Sequence, residues 1–261
     1  MYRLQFINSR GGSPLIYSTG DITIIRTNGT STGSQISVIE GKNKVTIKDN
    51  CNVKCNGYGG MNDNCGFLIY QSQPGDPSID RSNFICENSN VEILSSSNVY
   101  STAPFFYITN TLTQISLKNC TFTYGSRLFI NASQNDHWGT RGENGADVIL
   151  NLENQNIEGD LLVDELSELQ INMKNSTIKG AINNAGNASV LKITLDSDSS
   201  IIFTSNSYYT SISNGDATGK NIINGSYNFS HYNSTINKLI DDSSRTSASY
   251  ITFMLLIFIL W

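Results

Sequence analysis

The chain has 261 residues, enough for one sizeable hydrophobic core, and it carries a formal net charge of -5 with only 15% charged residues. Asparagine, serine and threonine account for 87 of the 261 residues, and these residue types favour turns because their side chains hydrogen-bond to nearby backbone groups. Lysine and arginine form no cluster, which argues against a nucleic-acid partner, since phosphate binding depends on such clusters.

The first twenty residues contain Arg3 and Arg10 but no apolar stretch as long as that of a secretion signal. Taken alone, this segment predicts a cytosolic protein. The C-terminal segment described below predicts the opposite. An incomplete N-terminus, from which upstream coils are missing, would reconcile the two.

From residue 22 onward, two apolar residues separated by one residue recur at intervals of 23, 23, 23, 24, 35, 21 and 22 residues. Strands with this alternation bury every second side chain, and a repeat of this length is typical of a solenoid, in which each coil buries its inward side chains against the neighbouring coils. We therefore predict an all-β fold, a single-stranded parallel β-helix (solenoid) over residues 1–240, with about ten coils of roughly 23 residues. The apolar pairs are Ile22/Ile24, Val45/Ile47, Leu68/Tyr70, Val91/Ile93, Ile115/Leu117, Leu150/Leu152, Ile171/Met173 and Ile193/Leu195.

The five cysteines, Cys51, Cys55, Cys65, Cys86 and Cys120, all lie in the first half of the chain. Counted along the repeat, Cys65 and Cys86 fall at similar positions of consecutive coils and form a candidate disulfide. Cys51 and Cys120 share a position but lie three coils apart, too far for a bond. An odd number leaves one thiol free or its partner missing. The spacings are not those of a zinc site, so we predict neither a metal nor a cofactor.

A polar residue follows each apolar pair, where the strand is expected to end. In the fullest copies of the repeat this residue is Asn119, Asn154 or Asn175. Asparagine tolerates left-handed backbone angles, and its amide can stack on the asparagine of the next coil. We therefore interpret these residues as a structural ladder at a corner and not as a binding site.

The interval of 35 residues contains an insertion near residues 134–146. Insertions in solenoids become loops on one side, which is often the functional side. One interpretation is a saccharide site, with Trp138 against a sugar face and Asp136 and Arg141 on its hydroxyls. The other is that Trp138 folds back over a gap in the coil while the charged residues face water. The candidate ligand-binding residues are Asp136, His137, Trp138, Arg141 and Glu143.

The alternating strands, the asparagine corner and the stretch from Trp138 through Ala181 resemble right-handed parallel β-helix proteins of the pectate-lyase-like superfamily. More narrowly, they are similar to large secreted surface proteins of anaerobic microbes. The resemblance covers most of residues 20–240 and implies a right-handed coil. It implies no particular reaction, because the superfamily includes pectate lyases, polygalacturonases, adhesins and carbohydrate-binding proteins.

Catalysis in such a fold depends on how acidic residues stack. A lyase needs clustered carboxylates for calcium beside an arginine or lysine, and a hydrolase needs close carboxylates in adjacent coils. On the repeat, Asp160, Asp164 and Asp196 form no such column, so the sequence predicts no catalytic residue. We expect a non-catalytic surface protein that binds a polysaccharide or cell-surface glycan, or acts in adhesion. The alternatives are a polysaccharide lyase or hydrolase, which carboxylates stacked beside an arginine in one groove would favour, and a purely structural coat.

The C-terminal tail, residues 250–261, reads YITFMLLIFILW and contains no charge. Its twelve residues are too few to cross a bilayer as a helix. Together with the polar linker 241–249 it resembles a glycosylphosphatidylinositol (GPI) attachment signal, with Asp242 as the best candidate for lipid attachment. A tail retained in the membrane and a hydrophobic cap on the coil are the alternatives. The anchor predicts an extracellular, membrane-anchored protein at the cell surface.

Eight Asn-x-Ser/Thr sequons mark candidate sites of N-glycosylation. A chain this rich in asparagine, serine and threonine is expected to contain about seven by chance. Their number therefore says nothing about secretion.

Overall fold

The computed structural model describes residues 5–73 and 81–233. Within these ranges the regular structure is β-strand, except for one 3-10 turn at Gly60–Asn62. Every strand pair in this part of the chain is parallel. The prediction of an all-β fold built from parallel strands is confirmed, and the arrangement is consistent with a β-solenoid.

The strands described are, in chain order, β1 (Gln5–Ser9), β2 (Ile16–Ser18), β3 (Ile22–Ile25), β4 (Thr27–Ser31), β5 (Ser37–Glu40), β6 (Lys44–Lys48), β7 (Asn52–Cys55), β8 (Phe67–Tyr70), β9 (Ser82–Glu87), β10 (Asn90–Ile93), β11 (Phe106–Thr109), β12 (Thr111–Lys118), β13 (Thr121–Thr123), β14 (Leu128–Ala132), β15 (Ala146–Glu153), β16 (Asn156–Glu158), β17 (Asp160–Val163), β18 (Glu168–Lys174), β19 (Thr177–Lys179), β20 (Val190–Leu195), β21 (Ser200–Ile202), β22 (Ser207–Tyr209), β23 (Ser211–Asn214), β24 (Ile222–Ile223) and β25 (Phe229–His231).

These strands assemble into five sheets. Sheet I has the order β3-β6-β9-β12-β15-β18-β20-β23, sheet II the order β2-β5-β8-β11-β14-β17, and sheet III the order β1-β4-β7-β10-β13. Sheet IV contains β16-β19-β21-β24, and sheet V pairs β22 with β25. In the first half of the chain each strand pairs with the strand three places later, so the chain passes through sheets II, I and III in turn. We call one such pass a coil.

The apolar pairs predicted to form one column do not all lie in one sheet. Six of the eight lie in sheet I, but Leu68/Tyr70 lies in β8 of sheet II and Val91/Ile93 in β10 of sheet III. The missing place in sheet I belongs to Phe84/Cys86, which is in register with Val45/Ile47 on one side and Ile115/Leu117 on the other. The prediction failed because the coil from Val45 to Phe84 spans 39 residues, so an equal count along the chain reaches a strand of another sheet.

Inward side chains of successive coils form one continuous hydrophobic core. It contains five fully buried phenylalanines, with ring centroids 4.6 Å apart for Phe67 and Phe84 and 5.8 Å apart for Phe105 and Phe129. Because every second residue of each strand points inward, a coil contributes only a few apolar side chains and depends on its neighbours to bury them. The five rings are those of Phe67, Phe84, Phe105, Phe106 and Phe129.

Asparagines with left-handed backbone form the corner that follows sheet I. Asn119, Asn154 and Asn175 have φ values of 51°, 50° and 45°, and Asn88 has 47°. The side-chain amide of Asn175 donates to Oδ1 of Asn154 over 2.8 Å, and that of Asn119 donates to Oδ1 of Asn88 over 2.9 Å. This is the geometry of an amide ladder, and Asn88 is a member that the sequence did not identify because its coil was assigned to the wrong strand.

A second column of buried polar groups lies directly after these asparagines, on the inside of the corner. In each case a backbone N–H donates to the equivalent side chain one coil further on: Cys51 to Ser89 Oγ over 3.2 Å, Gln155 to Ser176 Oγ over 3.0 Å, and Ser176 to Ser199 Oγ over 3.1 Å. Buried N–H groups that the strands do not pair are satisfied in this way.

The strand pairing that follows the corner is interrupted between β13 and β16. β13 is the last strand of sheet III and β16 is the first strand of sheet IV, and the two strands do not pair with each other. The side chain of Gln155 bridges the interruption, since its Oε1 accepts from the Cys120 N–H over 3.0 Å and its Nε2 donates to the Cys120 carbonyl. Tyr124 crosses at the other end, where its hydroxyl donates to the Glu158 carbonyl over 2.6 Å. A groove of about 590 Å³ lies between the two strands.

The predicted attachment residue Asp242, the linker 241–249 and the tail 250–261 lie outside the described residues. For the ranges that are described, the structure contains no helix with the length and apolar character that a bilayer-spanning helix needs.

Substituting Asn154 by leucine tests the corner ladder. Leucine in a left-handed conformation is strained and cannot accept the hydrogen bond from the Asn175 amide. Asn154→Leu should therefore lower the free energy of unfolding by about 1–3 kcal/mol. The matched control is Asn156→Leu, on an exposed strand position two residues later. Equal urea midpoints for the two variants would contradict the ladder.

Candidate functional site

The insertion loop connects β14 to β15 across residues 133–145, and it folds back onto sheet II. Trp138 is half-buried, and its ring lies 4.3 Å from that of Tyr70 between centroids. It packs on a cluster separate from the main core, formed by Val38, Cys65, Leu68, Tyr70 and Tyr107. Leu68 and Tyr70 alternate along β8 with the core residues Phe67 and Ile69, so this cluster lies on the outer face of sheet II.

Two asparagines fix the shape of the loop. Oδ1 of Asn135 accepts from the backbone N–H groups of His137 and Trp138, both over 2.9 Å. The buried amide of Asn144 donates to the carbonyls of Asn135 and Trp138 over 2.6 and 2.7 Å. The loop is therefore held closed by its own side chains, with Trp138 directed at the sheet.

The five candidate ligand-binding residues do not converge on one point. Asp136 and Arg141 form an ion pair of 3.6 Å with each other, and their side chains are 77% and 84% exposed. His137 meets the Trp138 ring edge-on at 6.0 Å, whereas Glu143 lines a pocket on the side of sheet I. Trp138 thus covers the coil and the charged pair faces water, as in the second of the two interpretations of this loop.

Next to Trp138, the outer face of sheet II carries a row of polar aromatic side chains from successive coils. The Tyr17 hydroxyl donates to Oε2 of Glu40 over 2.7 Å and lies 3.3 Å from the Tyr70 hydroxyl. Tyr17 is 50% exposed. The hydrogen bond from Tyr17 lowers the pKa of the Glu40 carboxyl, so Glu40 is a charged acceptor at neutral pH. We call Tyr17, Glu40, Tyr70 and Trp138 the aromatic ledge.

The aromatic ledge was missed by sequence reasoning. Tyr17, Glu40 and Tyr70 lie in β2, β5 and β8, which are neighbours in sheet II. Their proximity depends on the register of that sheet, and the repeat assigned Tyr70 to sheet I. The signal in the sequence was the presence of aromatic residues at outward positions of the strands that precede the apolar pairs.

Beneath the loop lies one buried carboxylate with an unused acceptor. Asp63 is only 6% exposed, and among the described residues its Oδ2 has no hydrogen-bond partner. Burial raises the pKa of Asp63, and the nearby His137 opposes this rise. Asp63 therefore gives the underside of the loop an acceptor that is masked from solvent.

A second concave site lies on the other side of the loop, where a pocket of about 400 Å³ opens at the N-terminal ends of β12, β15 and β18 of sheet I. Asp147 of β15 and Glu168 of β18 both line it, and they are register partners on neighbouring strands. Arg81 binds Asp147 twice, through its carboxylate over 2.6 Å and its carbonyl over 3.0 Å. We call Asp147, Glu168, Glu143 and Arg81 the acidic pocket.

The two carboxyl groups of the acidic pocket differ in environment. Burial raises the pKa of Glu168, and the negative charge of Asp147 adds to the rise. Asp147 instead has the guanidinium of Arg81 in direct contact. General acid–base chemistry with carboxyl groups requires two neighbouring groups, one of which favours the protonated form.

The sequence prediction concerned Asp160, Asp164 and Asp196 and did not consider Asp147 and Glu168, which stack on neighbouring strands. Asp147 and Glu168 each precede an apolar pair by three residues, at Leu150 and Ile171, so the repeat contained the signal. The acidic residues that were considered have structural roles instead: Asp160 accepts from the Ala181 N–H over 2.7 Å, and Asp196 accepts from the Asn175 N–H over 3.1 Å.

The structure does not bring Cys65 and Cys86 together. All five cysteines are buried free thiols; Cys65 belongs to the cluster on the outer face of sheet II, whereas Cys86 belongs to the main core. The predicted disulfide stays a prediction without support from the positions of these thiols. Within residues 5–73 and 81–233, no group of three or more His, Cys, Asp or Glu residues is arranged to hold a metal ion.

Comparisons with known protein families, with curated proteins and with solved structures gave no match for this chain. The geometry of the aromatic ledge and of the acidic pocket therefore carries the functional interpretation.

The role of Trp138 can be tested by stability. Trp138→Ala should lower the free energy of unfolding by about 1–3 kcal/mol, because it removes a half-buried ring from the outer cluster. Arg141→Ala removes only an exposed ion pair and should change it by less than about 0.5 kcal/mol. A Trp138→Ala variant as stable as Arg141→Ala in thermal unfolding would show that the loop does not pack on sheet II.

Proposed function

We propose that the protein is a cell-surface, glycan-binding single-stranded parallel β-helix. The fold proposal is supported by the order in which the chain visits sheets II, I and III and by the register between successive coils. The eight strands of sheet I, one for each coil, favour eight coils in the described residues instead of about ten. The right hand of the coil and membership of the pectate-lyase-like superfamily are proposed from the sequence resemblance.

The observation that carries glycan binding is the aromatic ledge. The half-exposed ring of Tyr17 presents a flat apolar surface that suits one face of a sugar ring, and the polar groups beside it can hydrogen-bond to sugar hydroxyls. The Tyr17–Glu40 hydrogen bond holds a charged acceptor beside the exposed ring. Because the ledge lies along a sheet whose strands are spaced about 4.8 Å apart, it suits an extended chain of sugars better than a compact ligand.

Charge narrows the class of glycan. Glu40 is ionised, Glu143 lies on the other side of the loop, and the chain has a net charge of -5. A uronic-acid polymer would be repelled by these groups. We therefore propose a neutral polysaccharide as the ligand and expect polygalacturonate to bind poorly.

The location at the cell surface is proposed from the sequence. The linker 241–249 and the apolar tail 250–261 support a GPI anchor at Asp242, an extracellular position and N-glycosylation of sequons. Expression behind a secretion signal, followed by a phospholipase that cleaves GPI anchors, tests this part. Protein that stays on the treated cells would remove the lipid-anchor proposal and leave the binding proposal intact.

Substitution of the exposed tyrosine tests glycan binding. Tyr17→Ala should weaken retardation in gels containing hydroxyethylcellulose or galactomannan by about 5- to 10-fold, since an aromatic contact contributes about 1 kcal/mol. Tyr227→Ala, which removes a tyrosine that is 40% exposed in another part of the chain, should bind as the wild type does. If the wild type binds neither polysaccharide, or if both variants weaken binding equally, the ledge is rejected as a glycan site.

The acidic pocket favours a second candidate function, hydrolysis of a polysaccharide. Glu168 would donate a proton to the glycosidic oxygen, and Asp147 would act as the carboxylate that attacks the sugar or activates water. Arg81 is a positioning residue, because it holds Asp147 through two hydrogen bonds. The stacked carboxylates beside an arginine are the feature that distinguishes this candidate from a purely structural coat.

Release of reducing ends from the same two polysaccharides tests hydrolysis. Glu168→Gln should lower the rate at least about 100-fold, whereas Glu158→Gln, an exposed carboxylate paired with Lys179, should not change it. Because Glu168 must be protonated to act, the rate should fall as the pH rises through its raised pKa. No sugar release by the wild type would reject hydrolysis while leaving the binding proposal unaffected.

A further inference from the structure

Strands β13 and β16 face each other across the groove of about 590 Å³, and they do not pair with each other. The Thr121 N–H donates to the Ser89 carbonyl over 3.0 Å. Because alternate residues of a parallel strand bond to the same neighbour, the ladder between β13 and β10 uses Thr121 and Thr123. The N–H and C=O groups of Phe122 therefore point toward β16, and the described residues offer them no partner.

Strand β16 presents the matching edge from the other side of the groove. The Gly159 N–H donates to the Lys179 carbonyl over 2.9 Å, so the ladder between β16 and β19 uses Ile157 and Gly159. The backbone groups of Asn156 and Glu158 consequently point toward β13. A strand inserted between β13 and β16 would find backbone donors and acceptors on both of its sides.

Side chains close the groove at its two ends. At the amino-terminal end, Oε1 of Gln155 accepts from the Cys120 N–H over 3.0 Å, and its Nε2 donates to the Cys120 carbonyl. These are the two kinds of bond that a neighbouring strand would make with Cys120. At the carboxyl-terminal end, the hydroxyl of Tyr124 donates to the Glu158 carbonyl over 2.6 Å, so the Tyr124 ring crosses between the strands. The length of residues 121–123 stays open between these two closures.

The inner wall of the groove is apolar. Phe122 and Ile157 are the inward residues of the two strands, since the threonines beside Phe122 are exposed, as are the residues on either side of Ile157. Phe129 and Ile202, both of which line the groove, complete the wall. A residue inserted level with Phe122 would therefore face apolar side chains, whereas the residues before and after it would face water.

The rim of the groove carries an arginine without an ion-pair partner. Among the described residues Arg127 forms no salt bridge, whereas the other cation that lines the groove, Lys179, is paired with Glu158 over 2.9 Å. Arg127 has a φ of 59°, a left-handed conformation that is uncommon for arginine, and strained backbone is concentrated at functional sites. Arg127 follows Tyr124 by three residues, so it lies beyond the closed, carboxyl-terminal end of the groove.

We propose that the groove binds the C-terminal end of a partner polypeptide as an inserted strand, parallel to β13 and β16. The penultimate residue of the partner is apolar and packs between Phe122 and Ile157. The partner chain ends after one further residue, because Tyr124 closes the groove there. Its terminal carboxylate is the anion that matches the unpaired Arg127.

The free strand edges favour a polypeptide over an apolar small-molecule acid. Such an acid could contact the wall and Arg127, but it would leave the backbone groups of Phe122 and Asn156 unpaired beneath it, which costs free energy. A polypeptide pairs with both edges and fills the wall with one side chain. This site is independent of the aromatic ledge, of the acidic pocket and of the proposed location at the cell surface.

Binding of labelled peptides to the full chain, measured by fluorescence anisotropy, tests the proposal. The probe is Gly-Ser-Gly-Thr-Ile-Thr with a fluorophore at its N-terminus and a free C-terminal carboxylate. It should bind at least about 10-fold more tightly than the same peptide with a C-terminal amide, or with two glycines added after the last threonine. N-methylation of the last threonine, which removes the N–H that the Phe122 carbonyl would accept, should weaken binding to a similar extent.

A substitution of Arg127 tests the role of the charge. Arg127→Asn removes the cation, and asparagine tolerates the left-handed backbone, so this variant should bind the acid and the amide equally. The control Arg141→Ala, an exposed arginine in the insertion loop, should keep the preference for the acid. If Arg127→Asn fails to fold, the four peptides with the wild type decide the question. No binding of the acid, equal binding of the acid and the amide by the wild type, or equal binding of the N-methylated peptide would overturn the proposal.

Discussion

The structure depends on in-register stacking of parallel strands between successive coils. The backbone ladder fixes which residue lies above which, and side chains at equivalent positions then pack on one another: apolar residues in the core, amides such as Asn154 and Asn175 at the corner, and small polar groups behind them. A single coil buries too little apolar surface to be stable alone, so stability is shared between neighbouring coils. Interruption of one ladder, as between β13 and β16, is tolerated because Gln155 and Tyr124 bridge it.

The same stacking generates the candidate sites, because it places residues of distant sequence about one strand spacing apart. Tyr17, Glu40 and Tyr70 come from three coils, and Asp147 and Glu168 from two. The insertion loop separates these two groups, with its tryptophan over sheet II and its Glu143 at the pocket beside sheet I.

The fold class could be predicted from the sequence because the alternation of apolar residues is a local property of each strand. The corner asparagines could be predicted because a left-handed backbone restricts the residue types that can adopt it. The assignment of strands to sheets did not follow. Strands of all three long sheets have the same alternation, and β8 is buried on both faces, so its outward pair Leu68/Tyr70 has the same pattern as an inward pair of sheet I. Residues 56–66 and 94–105, which lengthen two coils, carry no periodic signal. Side-chain proximity across coils, as in the aromatic ledge, becomes known only once register is known.

Spin labels on the outer face measure that register directly. In variants with cysteine at positions 46 and 85, which are register partners in sheet I, the labelled strands lie about 4.8 Å apart, so the labels should broaden each other's spectra strongly. The native cysteines are buried, so labelling is restricted to the introduced positions. Labels at positions 46 and 92 should broaden much less, because β10 belongs to sheet III. Stronger broadening for 46 and 92 than for 46 and 85 would contradict the stacking on which the whole account rests.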